Sequence, residues 1–200
     1  MATRMMLAML AFALTACGQP NRADAPPPPL LLTCADFPRD ATAASLAQIY
    51  GAENVTQETL PGPEGEQYKA TVLYANNPLR RAEIVWRDDA ETALESVTVR
   101  GDQSEWNGPA GIKLGQAMTN TQRANGPAFM VSGFDWDYGG VVTDWKGGSM
   151  APANGCNTMV QFKPTVPGYT TTGDAPFSSD DEALRAAIPR VQRITISFGD

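Results

Sequence analysis

Apolar and polar residues alternate with the two-residue period of a half-buried strand over 54–60, 68–74, 81–87 and 96–100. Pro61-Gly62-Pro63 and Asn76-Asn77-Pro78 mark turns between these segments. Ahead of them the spacing of Leu46, Ile49 and Tyr50 predicts a helix over 42–50 with all three on one face, closed by Gly51. The second half repeats the order. A short helix over 119–125 stops at Gly126-Pro127, and strands are expected at 129–138, 141–145, 158–163 and 193–198.

The two halves match piece by piece. Ile49-Tyr50-Gly51 corresponds to Ala124-Asn125-Gly126, Glu83-Ile84-Val85-Trp86 to Met159-Val160-Gln161-Phe162, and Val97-Thr98-Val99 to Ile194-Thr195-Ile196. The offset stays near 75 residues until an insertion over 165–188 precedes the last strand. The expected fold class is therefore α+β, an antiparallel sheet with helices on one face, built from two tandem helix-plus-four-strand units over 33–107 and 108–200. A single α+β domain without a repeat is the alternative.

The first residues are of another kind. Arg4 precedes an apolar run over 5–14 that is too short to span a bilayer as a helix, and small residues follow, the pattern of a secretory signal over 1–16. Leu14-Thr15-Ala16-Cys17 resembles the lipobox of bacterial lipoproteins, which implies cleavage before Cys17 and lipidation of its sulfur. Gly18 in place of Asp implies transfer to the outer membrane. Residues 17–32, with Pro26 to Pro29, read as a tether, flexible and then extended, that lifts the folded part from the membrane. The folded part is expected to begin near Thr33.

Charge and cysteine content narrow the chemistry. The chain carries 15 basic and 22 acidic residues, net −7, and loses only Arg4 with the leader, which leaves about −8. Phosphate backbones repel such a surface, so no nucleic-acid partner is expected and membrane contact rests on the lipid. With Cys17 acylated, Cys34 and Cys156 remain in an oxidising compartment, where two leftover cysteines most simply pair; two buried thiols are the other reading. The chain has no His and no CxxC, so no metal site and no cofactor is implied.

Gly111-Ile112-Lys113-Leu114-Gly115-Gln116-Ala117-Met118-Thr119, leading to Asn125-Gly126-Pro127, resembles a motif of small bacterial envelope proteins in which a glycine-led turn starts a helix and Gly-Pro ends it. The BamE-type outer-membrane assembly lipoproteins and the β-lactamase-inhibitor-protein fold use this layout. Here Asn120 and Gln122 stand where acidic residues are usual. Residues 133–140 also resemble a block in uncharacterised bacterial lipoproteins. These resemblances imply an α+β fold and an envelope location.

One constellation carries candidate chemistry. If Gly139-Gly140 forms a two-residue turn, Tyr138 faces Val141 and Asp135 faces Asp144. One side of the hairpin then presents Phe134, Trp136, Tyr138, Val141, Thr143 and Trp145, and the other Asp135, Asp137 and Asp144 with Val142. The aromatic side serves as core or as a platform for peptide or sugar. The acidic side serves as a solvated face, a cation site or a pair of glycosidase acids.

No catalytic set is found. Gly147-Gly148-Ser149-Met150-Ala151 approaches a nucleophile elbow but lacks the closing Gly, and the chain offers neither a His base nor a Ser-x-x-Lys. Arg80-Arg81 and Asp88-Asp89 flank a strand as edge charges, and Asp180-Asp181-Glu182 suits a helix start before 183–188. The expected function is non-enzymatic. It is a lipid-anchored envelope module that binds a protein partner, with Trp136, Tyr138, Trp145, Asp135, Asp137 and Asp144 as candidate binding residues. An acid-dependent glycan or cation binder, or a glycosidase-like enzyme using the three aspartates, is the alternative.

Overall fold

A computed structural model describes residues 30–62 and 65–199 of the chain. The leader over 1–16, Cys17 and most of the expected tether lie outside the described residues. The fold is α+β. Six strands form one antiparallel sheet: β1 (Val55–Pro61), β2 (Gln67–Leu73), β3 (Ala82–Trp86), β4 (Leu94–Arg100), β7 (Cys156–Lys163) and β9 (Arg190–Phe198), in the order β1-β2-β3-β4-β9-β7. Three short strands, β5 (Met130–Ser132), β6 (Val142–Asp144) and β8 (Pro176–Ser178), form a second sheet in the order β6-β5-β8. Helices α1 (Ala43–Tyr50), α2 (Met118–Asn125) and α3 (Glu182–Ala186) complete it.

Local chemistry explains the first helix. Thr42 accepts from the Ser45 amide while the Ser45 hydroxyl accepts from the Thr42 amide, a reciprocal cap that satisfies two orphan donors. Gly51, at φ +91°, ends the helix in a conformation that side chains resist. Leu46 and Tyr50 are buried as expected, but Ile49 is 51% exposed. Tyr50 lies about 40° beyond Leu46 around the helix and Ile49 about 60° to the other side. The buried stripe is too narrow for all three.

The sheet has two unlike faces. Register places Ile84, Val97, Val99, Ile194, Ile196, Val160 and Phe162 on one side, in one core with Leu46 and Tyr50 of α1 and Met118 of α2. Glu83, Thr98, Arg100, Arg193 and Gln161 point to the other side. The core spans both halves of the chain, so the boundary at 107/108 divides the sequence repeat but not the interior. Its aromatic centre is Phe37, Tyr50 and Trp106, whose indole donates to Arg80 O at 2.8 Å. The body also begins earlier than Thr33. Leu30 and Leu32 are buried, and they exchange backbone hydrogen bonds with Asn107. Of the three leucines after the prolines, Leu30 and Leu32 leave the tether and join the core, while Leu31 faces outward.

The matched sequence pieces occupy equivalent places. β3 pairs with β4 as β7 pairs with β9, and β4 and β9 meet in the middle. Thr98 and Thr195, equivalent in the repeat, face each other there with their hydroxyls 2.9 Å apart. In the second half β5 and β6 leave the main sheet but stay linked to β7 through the Val141–Gln161 bridge. The insertion over 165–188 supplies β8 and α3 and is packed, with Leu184 and Ala187 buried. Asp181 caps α3 by accepting from the Ala183 and Leu184 amides.

Cys34 and Cys156 form a disulfide across 122 residues of sequence, as the cysteine count suggested. Burial, with Asp36 and Tyr74 nearby, raises the Tyr50 phenol far above its ordinary value of 10.0. The neutral phenol therefore favours the folded state fully below pH 10, and that contribution is lost as pH rises above it. In an alkaline titration the Tyr50 signal at 295 nm is expected to appear only together with loss of near-UV circular dichroism. Ionisation of every tyrosine in a still-folded chain would contradict this.

Candidate functional site

The predicted hairpin is not formed. β5 ends at Ser132 and β6 begins at Val142, and Asp144 pairs with Met130, not with Asp135. The strand stops because Asp135 adopts φ +64°, a left-handed conformation that aspartate tolerates and strand pairing does not. Residues 133–141 instead fold back as a compact loop. Ser132 donates its hydroxyl to Tyr138 O at 2.7 Å, the Gly139 amide donates to Trp136 O at 2.9 Å, and the Trp136 indole donates to Gly133 O at 3.0 Å.

The six candidate residues consequently separate. Trp145, read as a binding residue, is only 5% exposed; it packs on Phe129 and donates its indole N–H to Thr158 O. Phe134 is likewise core, while Trp136 and Tyr138 stand 40% and 56% exposed. Their rings meet edge to face with centroids 5.5 Å apart. They are the two aromatics among the exposed large apolar side chains of the described residues.

The carboxylates do not form one face. Asp144 pairs with Lys146 at 2.8 Å and accepts from its amide, and these bonds hold the Asp144 carboxyl below its ordinary value. Asp135 accepts from the Tyr169 hydroxyl at 2.7 Å, which raises the Tyr169 phenol. Asp137 is exposed at the loop tip beside the two rings. Among the described residues no group of three metal-binding side chains comes together, so the geometry gives the cation reading no support.

The glycine-rich segment at Ser149 is a docking loop. Ser149 donates its hydroxyl to Ala124 O and its amide to Asn125 O, at the end of α2. A Cβ on Gly148 would lie 2.2 Å from Asn125 Oδ1, so glycine is required for the close approach. Arg80 and Arg81 are not merely edge charges either. Arg80 lies 4.4 Å over the Tyr74 ring, and Arg81 bonds Glu58 at 2.7 Å on the open face of the sheet.

Two residues that support the site, Tyr169 and Gln161, were not singled out for it from sequence, and a third, Gly140, was read only as a turn residue. Tyr169, in the insertion, packs edge-on against Phe134 at 5.4 Å while bonding Asp135. Gln161 donates to Gly139 O at 2.8 Å and ties the loop to β7. Gly140, at φ +74°, accepts at its carbonyl from Phe162 N, and a Cβ there would lie 2.0 Å from Phe162 O. The glycine pair was visible as a turn signal; its partners lie in other elements and share no local pattern with it.

The arrangement is a braced loop presenting two aromatic rings flanked by acids. Compared with known protein families, curated proteins and solved structures, the chain matches none.

Proposed function

We propose that the chain is a binding module of the bacterial cell envelope, anchored by lipid on Cys17 and holding a protein partner through Trp136 and Tyr138. The observation that carries this reading is the braced, solvent-facing Trp136–Tyr138 pair. Exposed aromatics on a loop fixed by Ser132, Gly139 and Tyr169 lose little freedom on binding, and such residues dominate interface energetics. Asp135 and Asp137 beside them favour a partner patch that is apolar at its centre and basic at its rim. The lipobox resemblance of residues 14–17 supports the address, and the outer membrane is its proposed destination.

Affinity capture of the lipidated protein from detergent-solubilised envelopes, run beside a Trp136→Ala/Tyr138→Ala variant, tests the site. Hot-spot removal costs about 2 kcal/mol or more, roughly 30-fold in affinity, so the variant is expected to lose the partner while keeping its melting temperature. A partner retained equally by the variant would place binding elsewhere. Mass analysis of the N-terminus tests the anchor, and an unmodified Cys17 thiol would remove it.

A further inference from the structure

The open face of the main sheet carries a second recognition element. Arg100 on β4 and Arg193 on β9 are directly paired in register and project to the same side, with Gln161 of β7 opposite Arg193. Like charges in such positions repel unless anions lie between them. The chain supplies those anions on one side only. Arg81 bonds Glu58 at 2.7 Å and lies 3.5 Å from Glu83, and Arg100 bonds Glu83 at 2.9 Å. Arg193 has no carboxylate within ion-pair distance among the described residues; its terminal nitrogen bonds the Gln161 amide oxygen, and its buried Nε has no hydrogen-bond partner. Burial and the Arg100 charge lower the Arg193 pKa, and the more distant Glu83 offsets this only in part.

Three guanidinium groups thus share two carboxylates, leaving one positive charge at Arg193. The adjoining Lys163 is offset by Asp102 at 2.9 Å. A depression of about 220 Å³, lined by Arg100, Arg193, Lys163, Gln161 and Gln192 with the Lys163-paired Asp102 at its edge, opens at that point. We propose that this depression is a carboxylate-binding site that receives an aspartate or glutamate side chain of the protein partner. A monoanion completes the Glu58–Arg81–Glu83–Arg100 alternation and sets a negative charge against the Arg193 guanidinium from the side of the depression. It also matches the single uncompensated charge, which a phosphate dianion would exceed.

The assignment of the carboxylate to a protein rests on the binding reading above. Gln161 joins the two elements physically, since its oxygen accepts from Arg193 and its nitrogen donates to Gly139 O beside the aromatic loop. A partner seated on Trp136 and Tyr138 thereby reaches the arginine pair across one amide.

The test is ¹H–¹⁵N NMR of the full chain titrated with N-acetyl-glutamate N-methylamide, ionic strength being held constant with chloride. The Arg193 Nε–H and the Gln161 side-chain amide resonances are expected to shift saturably. Arg100→Gln, a more exposed position, is expected to weaken binding about tenfold, and Arg193→Gln to abolish the Gln161 shift. Trp136→Ala/Tyr138→Ala should leave the titration unchanged, which separates this site from the loop. Shifts no larger than those in chloride, equal shifts in both arginine variants, or saturation by inorganic phosphate alone would each overturn the assignment.

Discussion

Replacing Cys34 and Cys156 together by alanine is expected to lower the free energy of unfolding by about 4–5 kcal/mol, the chain-entropy value for a loop of this length. The bridge spans 122 residues and joins the first turn of the body to the start of β7, so it closes nearly the whole fold. Domains of this kind are typically stable by only about 5–15 kcal/mol, so the double variant should sit close to unfolding at body temperature. Leu32 and Phe37 would still seat the segment near residue 34, since both are fully buried. The expected result is a lower denaturation midpoint with some folded protein remaining. Guanidinium unfolding of the oxidised chain, the reduced chain and the double variant measures it. A loss under 1 kcal/mol would mean that the unfolded ensemble is already compact without the bond.

Asn125→Ala is expected to cost about 2 kcal/mol, because it leaves the buried Met150 amide without a partner and removes two bonds to the loop carbonyls of Pro127 and Trp145, the latter still held by the Gly148 amide. Asn125 is buried at the end of α2 and donates to Pro127 O at 2.9 Å and to Trp145 O at 3.0 Å. Its oxygen accepts from the amide of buried Met150. Among the described residues no other side chain bonds these three groups, and the gap left by alanine is flanked by Gly148. Asn125→Asp keeps the volume but sets a carboxylate against two carbonyls, so at neutral pH it should do no better. Urea unfolding monitored by tryptophan fluorescence reads both. Wild-type stability in Asn125→Ala would show that water replaces the amide freely.

What could be read along the chain depended on whether the signal was local. The first helix and β1 to β4 were legible, since Thr42, Gly51 and the turn prolines punctuate regular periods close to where the elements end. The segment 129–138 misled because its alternating aromatics imitate a strand, whereas the backbone reverses at Asp135. The flanking glycines were read as a hairpin turn, and nothing nearby reveals that Gly140 serves β7 instead. Trp145 and Tyr138 look alike in sequence; only the packing of Phe129 over one of them makes it core. The Arg100–Arg193 pair joins positions 93 residues apart, 193 minus 100, so it exists only once register is known.

The Cys34–Cys156 bond has a mechanical consequence. Cys156 is paired with Phe198 at the far end of β9, so both ends of the described chain converge on one strand. Stretching the molecule between its two termini would transmit tension from Cys34 straight across the sulfurs into β7. Residues 35–155, with α1, β1 to β4 and the aromatic loop, would hang slack beside that line of force.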